Sequence, residues 1–352
     1  MAGGLVLLAA GADLVVRGAS RLAAAIGISP LVIGLTVVSF GTSAPELVVN
    51  IDAAILGRPE LGVGNVLGSN ILNVLLILGV SAMVAPLAVS THLIRWDVPI
   101  MIGASTAVLL LSLDGRLSRT EGVLLVAGLA GYVVFLFRTR RVGAVEAHAA
   151  ESGAETRPGP KAARLLFHLS VLAAGLGGLV LGARWLVDGA SAMARALGVS
   201  ELVIGLTIVA AGTSLPEVFT SAVASFKGER DIAVGNVVGS NIFNLLCIFG
   251  LTGILMPGGL PVSPAALRFD MPVMLATAFA CFPIFFIGFR VSRGEGALFL
   301  GYYAAYLAYV ILASADHDAL PAYSAAMLLF GLPITGAVIG VLFLRAIRPS
   351  CR

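Results

Sequence analysis

Gly41-Thr42-Ser43-Ala44-Pro45-Glu46 interrupts an apolar run, and Gly212-Thr213-Ser214-Leu215-Pro216-Glu217 repeats it in the second half of the 352-residue chain. Each copy sets a carboxylate beside a proline inside hydrophobic sequence, where an acid is expensive and carries a functional expectation. Glu217 follows Glu46 by 171 positions, and the same offset relates Gly27 to Gly198, Gly64 to Gly235, Ser69 to Ser240 and Asn73 to Asn244. Positions 27–47 match 198–218 nearly residue for residue. Gly11-Ala12-Asp13-Leu14-Val15-Val16-Arg17-Gly18-Ala19-Ser20 echoes Gly182-Ala183-Arg184-Trp185-Leu186-Val187-Asp188-Gly189-Ala190-Ser191, with acid and base exchanged. The chain is an internal duplication.

Composition fixes the solvent. Hydrophobic residues make up 59% and charged residues 12%, with a mean hydropathy of +1.02, whereas a soluble domain carries about a quarter charged residues. This is an all-α integral membrane protein whose first partner is the lipid bilayer. A net charge of +3, scattered between apolar runs, implies no nucleic acid. No protein partner is implied either. Cys247, Cys281 and Cys351 lack the spacing of a disulfide framework or zinc site, and no cofactor is called for. The N-terminus is apolar from Leu5 with its first positive charge at Arg17, which reads as a retained span and not a cleaved signal.

A bilayer core takes about 20 apolar residues per helix. Such segments lie near 3–25, 30–56, 61–84, 97–113 and 119–137, then near 165–196, 201–226, 232–256, 268–289, 294–313 and 322–345, about 11 spans in all. The domain reading is a first half over 1–137, a cytoplasmic linker over 138–164, a second half over 165–313, and an extra span with its tail over 314–352. The linker is polar, has no apolar periodicity, and reads as mobile. Its Arg138, Arg140, Arg141, Arg157, Lys161 and Arg164 place it in the cytoplasm, which puts the N-terminus outside and the C-terminus inside. Arg58, Arg116 and Arg119 would then fall outside. Five spans is an odd number, so the second half enters the membrane upside down relative to the first. Inverted repeats with broken helices at the midplane are a transporter signature.

The chemistry of the motif points to a cation. Pro45 has no N–H, so the carbonyl of Gly41 loses its helical partner one turn from a carboxylate. Thr42 and Glu46 share a helix face, as do Thr213 and Glu217. The set is oxygen only, which suits Ca²⁺ and can hold Na⁺, and the motifs contain no soft ligand. The next span of each half adds Ser69 and Asn73, or Ser240 and Asn244, on one stripe with Asn65 or Asn236. Ser69, Asn73, Ser240 and Asn244 are read with the site; Asn65, Asn70, Asn236 and Asn241 are read as structural. Gly64, Gly68, Gly235 and Gly239 would let these helices approach a neighbour closely. The Gly-rich first and sixth helices, with few interlocking side chains, are candidates for sliding past the core.

The paired Gly-Thr-Ser-x-Pro-Glu and Gly-Asn-Val-x-Gly-Ser-Asn-Ile-x-Asn motifs resemble the two α-repeats of the cation/calcium exchanger superfamily, and most of all its compact prokaryotic Na⁺/Ca²⁺ exchangers. The resemblance extends over about the first 315 residues. It implies ten core helices in two inverted five-helix halves and exchange of one Ca²⁺ for about three Na⁺ by alternating access. It further implies that Glu46 and Glu217 bind Ca²⁺ with backbone oxygens of Thr42 and Thr213. Ser43, Ser69, Ser214 and Ser240, with the carbonyls of Ser39 and Ala210, would complete flanking Na⁺ sites. Asn stands at 244 where some archaeal relatives and the K⁺-coupled branch carry Asp, which argues against K⁺ coupling. The acid that H⁺/Ca²⁺ exchangers carry soon after Gly-Asn-Ala is absent, and the last span lies beyond the family core. The inner (plasma) membrane is the expected location.

Three other readings compete. Carboxylates can trade Ca²⁺ for H⁺, so a proton-coupled antiporter stays open. An intramembrane enzyme would need a nucleophile or metal-protease motif, and none is present. A passive channel fits inverted broken helices less well than alternating access.

Overall fold

The computed structural model describes residues 1–139, 161–197, 210–315 and 317–347. Most of the 138–164 linker and the first part of the 201–226 span therefore lie outside the described residues. Helices α1 (Ala2–Ile26), α2 (Pro30–Thr42), α3 (Ala44–Ile55), α4 (Pro59–Val84), α5 (Leu93–Leu111) and α6 (Arg119–Thr139) form the first half. Helices α7 (Lys161–Ala196), α8 (Ala210–Gly212), α9 (Leu215–Phe226), α10 (Arg230–Leu255), α11 (Ala266–Phe286) and α12 (Arg293–Ser314) form the second, and α13 (Leu320–Ala346) follows. Both α6 and α7 run a few residues into the stretch read as linker. Among the described residues nine helices are long and apolar enough to cross a bilayer, and α2 with α3, bent by 45° at Ser43, makes a tenth.

Local sequence explains the helix starts. Pro30, Pro45, Pro59 and Pro216 sit in first turns, where a missing N–H costs no hydrogen bond, whereas Pro99 and Pro272 lie inside α5 and α11 just after the π-type turns Leu93–Asp97 and Ala266–Asp270. Ser118 and Glu121 start α6, and Ser292 and Glu295 start α12, by the same reciprocal capping box. π-type turns interrupt α4 at Asn73–Ile77 and α10 at Asn244–Phe249. Each begins at the asparagine assigned to the site, and such turns often mark function.

Two short antiparallel strand pairs join the halves: Leu87–Ala88 with Arg290–Val291, and Arg116–Leu117 with Leu260–Pro261. Paired loops must lie on one side of the membrane, so an even number of crossings separates the α4–α5 loop from the α11–α12 loop. Helices α5, α6, α7, α10 and α11 supply five. Helix α9 must therefore end a sixth, and the second half is inverted.

The core of the molecule is α4 and α10. Most of α10 is buried, and Gly235 and Gly239 lie against the backbone of α2. A Cβ on Gly235 would stand 3.0 Å from the Leu31 carbonyl. The segment related to Leu31 by the repeat falls outside the described residues, so the close-approach expectation for Gly64 and Gly68 does too. Two intramembrane acids outside the repeated Gly-Thr-Ser-x-Pro-Glu motif hold the outer helices: Tyr132 donates to Asp97 at 3.0 Å and Tyr306 to Asp270 at 3.3 Å. Helix α13 docks on α12 through Tyr302, which donates to Thr335 Oγ1 at 2.7 Å, and Tyr323, which donates to the Ala305 carbonyl at 2.7 Å.

The glycines of α1 and α7 bring these two helices against each other. Gly4, Gly11 and Gly18 face α7, and Gly175 and Gly182 face α1. A Cβ on Gly11 would lie 2.8 Å from the Gly175 carbonyl oxygen, and one on Gly182 would lie 2.8 Å from the Leu8 nitrogen. The two backbones are pressed together, so α1 and α7 form one packed pair. Gly11→Val is expected to force the pair apart, with a cost of about 1–3 kcal/mol typical of overpacking and a lower melting temperature in detergent. An unchanged melting curve would show that the seam yields.

Candidate ion-binding site

Each Gly-Thr-Ser-x-Pro-Glu motif breaks its helix at the serine. Ser43 and Ser214 have nearly the same backbone angles (φ −81, ψ 7 and φ −89, ψ 4), and each precedes a new helix whose first turn contains the glutamate. The positive end of that helix favours an anion there. The serines then cross over. Ser43 Oγ donates to Glu217 Oε1 at 3.1 Å, and Ser214 Oγ donates to Glu46 Oε1 at 2.9 Å. Because serine and glutamate lie one turn apart in each copy, these reciprocal bonds hold both carboxylates at one locus.

The threonines are braced in the same symmetric way. Thr42 Oγ1 donates to Asn236 Oδ1 at 3.1 Å and Thr213 Oγ1 to Asn65 Oδ1 at 3.3 Å. Ser39 Oγ donates to the carbonyls of Gly34 at 2.6 Å and Asn236 at 3.0 Å, while its own carbonyl accepts from Ser43 N–H at 3.0 Å. Ser69 Oγ donates to the Asn65 carbonyl at 2.7 Å and lies 3.4 Å from Ser214 Oγ. Ser240 Oγ is buried with no hydrogen-bond partner among the described residues. Ala210 opens the short helical turn before Thr213.

Asn73 and Asn244 reach the other half. Asn73 Nδ2 donates to Asn241 Oδ1 and Asn244 Nδ2 to Asn70 Oδ1, both at 3.2 Å. Asn241 Nδ2 and Asn70 Nδ2 donate in turn to the sulfurs of Met101 and Met274 at 3.5 Å and 3.6 Å. Among the buried side-chain atoms that have no hydrogen-bond partner among the described residues are Glu46 Oε2, Glu217 Oε2, Asn73 Oδ1 and Asn244 Oδ1. Glu46 and Glu217 are each 1% exposed, and no ion pair joins either to a base among the described residues. Buried carboxylates need a countercharge, and a hard cation ligated by oxygen satisfies both of them and the amide carbonyls together.

Several neighbours of the site carry no motif that a reading of one repeat would find. Asn50 Nδ2 donates to the Glu46 carbonyl at 2.9 Å, and Ser221, its counterpart in the other repeat, takes a bond from Asn236 Nδ2 at 3.0 Å. Met101 and Met274 end a second repeated motif, Arg95-Trp96-Asp97-Val98-Pro99-Ile100-Met101 and Arg268-Phe269-Asp270-Met271-Pro272-Val273-Met274. Its offset is 173, not 171, because the connecting loop is two residues longer in the second half, and a fixed-offset comparison misses it.

Two inverted halves, each delivering a broken helix and one acid to a shared buried locus, define a secondary transporter. The chain belongs to the sodium/calcium exchanger protein family, whose model matches residues 1–138 and 167–312. It is 39% identical over 307 residues to the putative antiporter CaxA of Alkalimonas amylolytica, covering 85% of this chain and 95% of that one. It is 34% identical over 341 residues to the sodium/calcium exchanger MaX1 of Methanosarcina acetivorans, covering 86% and 95%. Among solved structures it resembles the sodium-calcium exchanger NCX_Mj with a TM-score of 0.74 and 31% identity over 87% of this chain and 95% of that one. The family is one of multi-pass membrane transporters, not enzymes. That membership removes the intramembrane-enzyme reading.

Proposed function

We propose that this chain exchanges Na⁺ for Ca²⁺ across the inner (plasma) membrane by alternating access, about three Na⁺ for each Ca²⁺ and therefore electrogenically. The observation that carries the proposal is the set of four unpartnered buried oxygens, two of them anionic, supplied by both repeats. Glu46 and Glu217 take Ca²⁺ with Thr42 and Thr213, while Ser43, Ser69, Ser214, Ser240, Asn73, Asn244 and the carbonyls of Ser39 and Ala210 supply oxygens for Na⁺. Segments 1–137 and 165–313 act as the inverted halves, 138–164 as a cytoplasmic linker, and 314–352 as an addition outside the exchange core. The outside N-terminus and cytoplasmic C-terminus follow from the basic loops.

Charge explains the coupling. One Ca²⁺ neutralises two carboxylates and three Na⁺ leave the site at +1, and either loaded form is less costly to enclose in a low-dielectric interior than the empty dianion. Loaded forms can therefore close over the site, and the empty one resists closure, which enforces exchange over leak. Exchange that moves one net charge couples to the membrane potential at roughly 2.3 kcal/mol per 100 mV.

Reconstituted vesicles separate Na⁺ from H⁺ coupling. An outward Na⁺ gradient is expected to drive ⁴⁵Ca²⁺ uptake, faster with the interior made positive if each Ca²⁺ entry accompanies exit of more than two Na⁺, while a pH gradient alone drives little. Uptake driven by the pH gradient and indifferent to Na⁺ would establish the proton-coupled alternative instead.

A further inference from the structure

We propose that Met101 and Met274 are positioning residues of the ion site, each acting through an asparagine to decide which end of the Asn73 or Asn244 amide faces the ion. An asparagine amide presents a donor end and an acceptor end of nearly equal shape. Packing alone does not choose between them, and the wrong end would aim an NH₂ group at a cation.

The choice propagates from sulfur. A thioether can accept a hydrogen bond and has none to give. With Met101 Sδ 3.5 Å away, Asn241 must turn Nδ2 toward it, and its Oδ1 then faces Asn73. Asn73 can satisfy that oxygen only with Nδ2, at 3.2 Å, which sends its own Oδ1 the other way. The second relay runs in the opposite direction between the halves, from Met274 Sδ through Asn70, at 3.6 Å, to Asn244, at 3.2 Å. At the end of each relay stands one of the unpartnered buried oxygens. Met101 and Met274 are 0% and 2% exposed, so water cannot replace the sulfur as acceptor. Methionine in a core is commonly a gap filler. Two methionines at symmetry-related places, each taking an amide hydrogen of the opposite repeat, do more than fill space.

The inference rests on the reading that Asn73 and Asn244 face the transported ion. Its test compares Met101→Leu, Met274→Leu and Met274→Gln with the wild type in two measurements: the KM and maximal rate of Na⁺-driven ⁴⁵Ca²⁺ uptake, and the Ca²⁺-induced rise in melting temperature in detergent. Leucine keeps the volume and loses the acceptor; glutamine keeps an acceptor oxygen at similar reach. Each leucine variant is expected to melt near the wild type without ions, to raise the KM for Ca²⁺ roughly tenfold, the value of one hydrogen bond, with a smaller change in maximal rate, and to lose most of the Ca²⁺-induced shift. Met274→Gln is expected to recover most of both. Unchanged Ca²⁺ affinity in both leucine variants, or a glutamine variant as impaired as leucine, would overturn the relay. A wild type that takes up no Ca²⁺ under a Na⁺ gradient would instead overturn the exchange reading, and the melting shift would still decide the relay.

Discussion

Glu46→Gln and Glu217→Gln are each expected to lower Na⁺-driven Ca²⁺ uptake roughly 100-fold or more, and to abolish Na⁺/Na⁺ and Ca²⁺/Ca²⁺ exchange with it. Removing one partner from a buried charge cluster costs about 3–5 kcal/mol, and each 1.4 kcal/mol is about tenfold in affinity. Either substitution leaves one carboxylate for a divalent ion and so removes half of the anionic charge that holds it. The two variants should fail alike, because Ser43 and Ser214 tie the acids into one unit at 3.1 Å and 2.9 Å. Glu46→Asp keeps the charge and shortens its reach, so it should retain more flux than Glu46→Gln. Near-normal uptake by either glutamine variant would separate the acids functionally.

Locking α1 to α9 is the second large expectation. Asp13 on α1 pairs with Arg17 at 2.8 Å and also with Lys227 at the end of α9, and Ser20 Oγ donates to Glu229 at 2.9 Å. These bonds latch the α1–α7 pair to the core at one end. The counterparts of Lys227 and Glu229 in the other repeat are Leu56 and Arg58, which cannot form the same latch with Arg184 and Ser191. No ion pair joins Arg184 to Asp188 among the described residues, although their spacing matches that of Asp13 and Arg17. The latch therefore belongs to one face, and it has to open if the site is to be reached from both. Asp13→Cys with Lys227→Cys, bridged through two disulfides by a bis-methanethiosulfonate of suitable length, is expected to stop exchange while equilibrium Ca²⁺ binding in detergent persists, with flux restored by reduction of the disulfides. Full bridging with undiminished flux would rule out movement of α1 against α9.

The parts of this design visible in the sequence are those that stand against their surroundings. An acid beside a proline in an apolar run is costly whatever the fold, so Glu46 and Glu217 stand out from the sequence, and long apolar runs mark the helices to within a few residues. What stayed hidden depends on who faces whom. Glycine at 4, 11 and 18 tells that a backbone comes close, and not that the neighbour is α7 instead of the core. Sequence adjacency suggests that Ser43 serves its own Glu46, whereas an inverted pair of broken helices brings it to Glu217. Met101 and Met274 look like ordinary core residues until a fold sets each against an asparagine of the other half. Asn65 and Asn236, read as structural, brace the threonines.

Crystals of the protein soaked in Ca²⁺ or Sr²⁺ and measured for anomalous scattering place the ion directly. A single strong peak is expected between Glu46 and Glu217, within coordinating distance of an oxygen of each. A peak bound by one repeat alone, or ions confined to the surface with the two carboxylates empty, would contradict a site shared by the inverted halves.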